Sequence, residues 1–352
     1  MTDRLTTLLA ERPWLLADGA MGSNLFDRGL VSGDAPELWN ITHPDRIAQL
    51  HAEFVAAGAD ILLTNSFGGT RHRLKLHQAE GRVAELNAAA ARLARSAADA
   101  AGRVVLVAGS MGPTGEILEP IGPLRIEEAR EAFAEQAAGL AAGGADVLWI
   151  ETMSSVEETE AAVEGARRTG LPVVATLSFD TNGRTMMGIT PADLAGIHRR
   201  QGLHACGSNC GVGPSELVAC LVNLATASEP GAVLIAKANC GIPQFVDNKI
   251  RFNGTPTLMA DYARLCRDAG ARIIGGCCGT TPEHLRAMRE ALETYEPGPK
   301  PDLATIESRL GAISTGATAQ LRGELDRLAG AAPGAAGRRS PSRRAARAEK
   351  LD

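Results

Sequence analysis

Cys210 and the adjacent pair Cys277-Cys278 are the residues in this sequence best suited to metal chemistry. Cys210 sits in Asn209-Cys-Gly-Val-Gly213, and the pair sits in Gly275-Gly-Cys-Cys-Gly-Thr280. Thiolates are soft ligands that select zinc among the common cellular metals. Three of them leave one tetrahedral position open, the mark of a catalytic rather than a structural zinc site. Neighbouring strand residues point to opposite sides, so both members of the pair can ligate only if the backbone bends, and Gly275, Gly276 and Gly279 supply that freedom. The competing reading is three buried cysteines serving as small apolar filler. That reading is adopted for Cys206, Cys220 and Cys266, which fall in strand or helix interiors. Cys240 is expected to line the pocket; a fourth metal ligand or an oxidation partner are its other possible roles.

Two carboxylates join the cysteines. Asp18 and Glu151 each close an apolar run, where an acid can bind a substrate ammonium group or do acid–base work; the plainer alternative is a helix cap. The glycine loop Gly109–Gly115 offers backbone N–H groups to an anion, but it has no Walker lysine and does not match the dinucleotide pattern. His72 and His77, in Arg71-His-Arg-Leu-Lys-Leu-His77, are read as a solvated helical face.

Elements that place all these groups at one rim recur along the chain. Short apolar runs are expected as strands at Leu15–Asp18, Asp60–Asn65, Val104–Gly109, Asp146–Glu151, Pro172–Ser178, His204–Asn209, Val233–Ala238 and Arg272–Gly276. Helical patterns separate them, among them Arg46–Ala57, Arg82–Ala101, Ile126–Ala142, Val156–Thr169, Pro191–Gln201, Pro214–Ala225, Thr257–Ala269 and Pro282–Thr294. Runs with little alternation suit a parallel sheet buried on both faces. Eight such units predict a single α/β (β/α)8 TIM barrel, preferred over a doubly wound open sheet. The loops after the strands of a barrel form its active site, and the motifs above follow strands.

The sequence has 352 residues, of which 45% are hydrophobic and only 3% aromatic. A broad base-stacking surface is therefore excluded. The formal charge of −5 hides a basic end: Arg338 to Asp352 carries +4, leaving −9 on the rest, which argues against nucleic acid as a partner. No run resembles a signal peptide or a membrane span, so a cytoplasmic location is expected. The barrel is assigned to residues 1–295. Residues 296–328 form a C-terminal helical extension, with a helical stretch over Asp302–Leu328 that would pack on the barrel or make a homo-oligomer contact. Residues 329–352 read as a disordered basic tail.

Taken together, these motifs resemble the homocysteine S-methyltransferase family, which includes betaine–homocysteine methyltransferase and the homocysteine-binding module of cobalamin-dependent methionine synthase. The resemblance runs from about residue 12 to 294. It rests chiefly on Ser208-Asn-Cys-Gly211 with Gly275-Gly-Cys-Cys-Gly279, supported by Asp18-Gly-Ala-Met-Gly22, Thr64-Asn-Ser-Phe-Gly-Gly69 and Gly109-Ser-Met-Gly-Pro-Thr-Gly115. It implies a (β/α)8 barrel with zinc (Zn2+) on Cys210, Cys277 and Cys278. It also implies that Asp18, the Ala20-Met21 backbone and Glu151 hold the amino acid part of homocysteine, with Thr64 and Ser110 lining the same pocket. Beyond the zinc site no catalytic residue is expected. A thiol is mostly protonated at neutral pH; in the fourth zinc position it would become a thiolate able to attack a methyl donor and yield methionine.

The donor is expected to be betaine or a related small onium compound. Trimethylammonium groups favour aromatic cages, yet near the rim only Phe67 and Trp39 are aromatic, and Gly68 stands where the animal betaine enzymes carry an aromatic. The alternatives are the homocysteine-activating subunit of a split cobalamin-dependent methionine synthase with a corrinoid protein as partner, or a methyltransferase using S-methylmethionine. From another class, a non-catalytic zinc-binding scaffold is opposed by the open ligand position and the two carboxylates.

Overall fold

Alternation along each strand decides what points into the centre of this protein. In the computed structural model, which describes residues 3–246 and 249–324, ten strands form. They are β1 Leu15–Leu16, β2 Ile61–Leu63, β3 Leu106–Met111, β4 Val147–Met153, β5 Val173–Leu177, β6 Ala205–Cys210, β7 Leu234–Ala238, β8 Pro243–Val246, β9 Lys249–Phe252 and β10 Ala271–Gly276. Eight of them pair in parallel in the order β1-β10-β7-β6-β5-β4-β3-β2. Ala17 bridges Ile61 in parallel, which joins β1 to β2 and closes the ring. The result is the TIM barrel expected from the eight runs, not an open sheet.

Residues two apart share a face, so each strand carries an inner and an outer set. Leu15, Ile61, Leu63, Leu106, Ala108, Val147, Trp149, Val174, Ile235 and Ile273 pack together inside. Leu16, Leu62, Val107, Leu148, Ile150 and Ile274 face outward into the layer under the helices. The helix Arg4–Glu11, capped by Asp3 accepting from the Thr6 N–H at 2.8 Å, sends Leu5, Leu8 and Leu9 into the inner cluster. Asp60, at the entry of β2, accepts from Arg12, Arg103 and Arg289 at 2.7, 3.2 and 3.0 Å. Two further residues along the same inner faces, the interior becomes polar at Ser110, Glu151 and Lys237.

Two features refine the sequence expectation. The antiparallel hairpin β8–β9, with Pro243 opposite Phe252, lies between β7 and the helix Pro256–Asp268. The helical stretch expected over Asp302–Leu328 holds two short helices, Leu303–Leu310 and Thr315–Leu321, separated where Gly311 adopts φ 98°. They pack on their own chain, burying Ile306, Leu310 and Ala317, with the Ser314 N–H donating to Glu216 at 2.9 Å and Arg309 pairing with Asp261 at 2.6 Å. Residues 325–328 of that stretch and the basic tail 329–352 lie outside the described residues. Among the described residues, no helix is long and apolar enough to cross a membrane.

Candidate metal centre and substrate pocket

The three cysteines converge at the rim. Cys210 ends β6, and Cys277 and Cys278 lie in the turn after β10, closed by the Thr280 N–H donating to the Cys277 carbonyl at 3.1 Å. Their sulfurs all lie within 4.8 Å of one another, and Cys210 Sγ is 4.0 Å from Cys278 Sγ. Tetrahedral zinc with bonds of about 2.3 Å sets its sulfurs about 3.8 Å apart, so the set fits zinc. Among the described residues no fourth His, Cys, Asp or Glu joins the group. Of the three glycines expected to bend the backbone, only Gly279 takes a positive φ, 79°. Gly275 serves close approach instead, since a Cβ there would lie 2.8 Å from the Ala17 carbonyl oxygen.

The arrangement carries backbone strain that its neighbours hold in place. Cys210 has φ 63° and Thr152 has φ 61°, a region non-glycine residues rarely enter. Asn209 holds Thr152 from both sides, accepting from its N–H at 2.8 Å and donating to its hydroxyl at 2.7 Å. Asn239 ties the two cysteine loops together: it accepts from the Cys278 N–H at 3.0 Å and donates to the Gly211 carbonyl at 2.7 Å. Without a metal the three thiols titrate as one unit. Thiol hydrogen bonds from Cys277 and Cys278 hold Cys210 below the ordinary thiol range, and the Cys277 thiol is raised because it supports that thiolate.

A cavity of about 340 Å³ opens over the cysteines. Asp18, Ala20, Met21, Thr64, Ser110 and Glu151, all expected at the substrate pocket, line it. The Ser110 hydroxyl donates to Glu151, and Thr64 Oγ1 accepts from the Ser110 N–H at 2.9 Å. Burial, reinforced by the charge of Cys277, pushes the Glu151 carboxyl up to about 7. The Ala20 N–H is already donated to Thr280 O at 3.1 Å, while Met21 and the start of the helix Gly22–Phe26 line the cavity.

Asp18 has a partner the sequence reading leaves unremarked. Lys237 Nζ lies 2.9 Å from Asp18 Oδ1 and 3.1 Å from its carbonyl oxygen, and the Leu63 N–H donates to Oδ2 at 2.8 Å. The lysine is 2% exposed and sits 5.8 Å from the centre of the Trp149 ring. Burial opposes its charge, but Asp18 and then Glu151 hold its pKa up. A lysine inside Val233–Ala238 was the available signal. Asn209 and Asn239, each next to a cysteine, carried a similar one.

Other expectations are corrected. Cys240 does not line the pocket: it is buried in the outer core, its thiol pushed up to about 12 by desolvation, and its N–H donates to Cys278 O at 2.8 Å. His72 and His77 are both half-buried rather than fully solvated, and His77 lines the cavity with Arg73. In the Gly109–Gly115 loop the Ser110, Gly112 and Thr114 N–H groups donate within the protein, to Thr64 Oγ1 at 2.9 Å, Phe67 O at 3.0 Å and the Glu158 carboxylate at 2.8 Å.

Comparison with known proteins agrees with this geometry. Residues 15–292 match the model of the homocysteine S-methyltransferase family. The methionine synthase of Mycobacterium leprae is 31% identical over 317 residues, covering 85% of this chain and 26% of that protein. That of Mycobacterium tuberculosis is 32% identical, covering 82% and 25%. The chain thus spans about a quarter of the length of these relatives. Among solved structures, the homocysteine methyltransferase MmuM from Escherichia coli in its metallated form superposes with a TM-score of 0.68 at 27% identity, covering 81% of this chain and 99% of that one.

Proposed function

This chain belongs to the homocysteine S-methyltransferase family, and on that premise we propose that it methylates homocysteine to methionine with a small onium donor, betaine first. The observation that carries the reading is three cysteine sulfurs within 4.8 Å of one another at a cavity that also holds Glu151, Asp18 and Lys237. Cys210, Cys277 and Cys278 would hold zinc. When bound, zinc supplies the Lewis acidity that lets a fourth sulfur ligand be a thiolate at neutral pH.

The chain's own residues do the rest. Glu151, aimed by the Ser110 hydroxyl, takes the ammonium group of homocysteine. Asp18 stands in the same cavity, paired with Lys237, so that its charge is balanced within the fold. Met21 and the following N–H groups take the substrate carboxylate. The substrate sulfur, having lost its proton to water, forms a bond to a donor methyl carbon as the carbon–nitrogen bond breaks. The bonding pair returns to nitrogen, and the donor leaves as a tertiary amine. No general base is needed in this step. The thiol set requires a reducing compartment, in keeping with a cytoplasmic enzyme.

A second reading follows from the relatives: a homocysteine-activating unit that meets a separate methyl-corrinoid protein. The deciding experiment offers the zinc-loaded protein and homocysteine betaine, S-methylmethionine or methylcobalamin in parallel, and reads methionine. Methionine from betaine supports the first reading. Methionine only from methylcobalamin replaces it with the second.

A further inference from the structure

The cavity carries groups that the proposed homocysteine contacts do not use. Glu37, Phe67, Arg73 and His77 line it. Glu37 is 6% exposed, and its Oε1 accepts from the Gly68 N–H at 2.6 Å. A Cβ on residue 68 would sit 2.9 Å from that oxygen, so glycine is what admits the carboxylate. The Phe67 ring beside it lies over Gly112, where a Cβ would come within 2.5 Å of the ring. Burial pushes the Glu37 carboxyl pKa up, and the charge of Arg73 works against that rise. Nearby Arg71 and Arg82 are spent on Glu135 and Glu85, whereas Arg73 enters no ion pair among the described residues.

We propose that Glu37 and Arg73 form the methyl-donor subsite and select a zwitterionic donor. The Glu37 carboxylate, with the Phe67 face, takes the onium end, and the Arg73 guanidinium takes the donor's own carboxylate. The inference deepens the proposed function and rests on it. A quaternary onium group has no N–H to donate, so only charge and a π face can recognise it. A buried carboxylate held by backbone N–H groups and no cationic side chain among the described residues suits such a ligand, because the incoming cation compensates its lost hydration. A guanidinium without a carboxylate partner is matched to the other end of the same molecule.

The test compares betaine with trimethylsulfonium, an onium donor that lacks a carboxylate, at saturating homocysteine. Wild type, Glu37→Gln and Arg73→Gln are each zinc-loaded and checked for metal content. Glu37→Gln is expected to raise the donor KM about tenfold or more for both donors, as loss of one charged contact implies. Arg73→Gln is expected to raise it by that factor for betaine relative to trimethylsulfonium. The KM for homocysteine should stay within about twofold in both variants, with the donor contact as the only term lost. Calorimetric titration with dimethylglycine, a zwitterion that needs no turnover, should show the same weakening. Both variants keeping the wild-type betaine KM and dimethylglycine affinity overturns the subsite while leaving the proposed function intact. Equal Arg73→Gln effects on the two donors overturn the carboxylate assignment. A wild type that makes no methionine from any onium donor overturns the proposed function and the subsite with it.

Discussion

Lys237 Nζ lies 2.9 Å from Asp18 Oδ1 inside the barrel, with each side chain 2% exposed. Lys237 shares the inner face of β7 with Ile235 of the apolar core, two residues nearer the rim. It therefore marks the level at which the barrel interior changes from hydrocarbon to charge. Asp18 spends both oxygens inside the fold, on Lys237 and on the Leu63 N–H. That leaves Glu151 as the acid to which the proposed function gives the substrate ammonium group.

Removing one member of this buried pair leaves the other uncompensated. Lys237→Met is expected to cost about 3–5 kcal/mol in denaturant unfolding. The double variant Asp18→Asn/Lys237→Met should recover most of that loss, because no lone charge remains. Additive losses across the cycle would show that the two residues do not act as a pair.

Glu151 makes stability depend on pH. In the metal-free protein its folded pKa is raised from 4.5 to about 7 by burial, so between these values the folded state holds a proton that the unfolded state has released. Wild-type stability must then fall as pH rises through that window. Glu151→Gln should match wild type near pH 4 and be more stable at pH 8 by up to about 3 kcal/mol. Thermal unfolding of both proteins at the two pH values checks this, and a difference that does not change with pH contradicts it.

Asn239 links the Cys278 N–H to the Gly211 carbonyl and so sets the spacing of the two cysteine loops. Asn239→Ala is expected to weaken zinc retention by about 10–100-fold against a competing chelator. Far-ultraviolet circular dichroism should stay that of the wild type.

Much of this architecture was legible because parallel strands buried on both faces leave continuous apolar runs, and turn glycines follow them. The cysteine cluster was legible because all three members follow strands that end at one rim. Lys237 was not, since Val-Leu-Ile-Ala-Lys-Ala reads as one apolar run unless period-two alternation is traced through it. The hairpin Pro243–Phe252 was hidden because it is short and begins at a proline. His77 looked solvated because its local sequence is charged; only the closed ring shows that it borders the cavity. Gly311 stood inside an otherwise helical pattern, and its positive φ, which divides the C-terminal segment, appears only in the backbone.

The central claim, that Cys210, Cys277 and Cys278 hold a metal whose fourth position takes the sulfur of homocysteine, is tested most directly by loading the protein with cobalt in place of zinc and titrating homocysteine. Wild type should gain sulfur-to-cobalt charge-transfer absorption that saturates at about one equivalent of homocysteine, as expected for one open position on a three-thiolate site. Cys210→Ala should lose both the metal and the change. Homocysteine that binds without altering the cobalt spectrum, or a Cys210→Ala variant that keeps stoichiometric metal and full turnover, would contradict it.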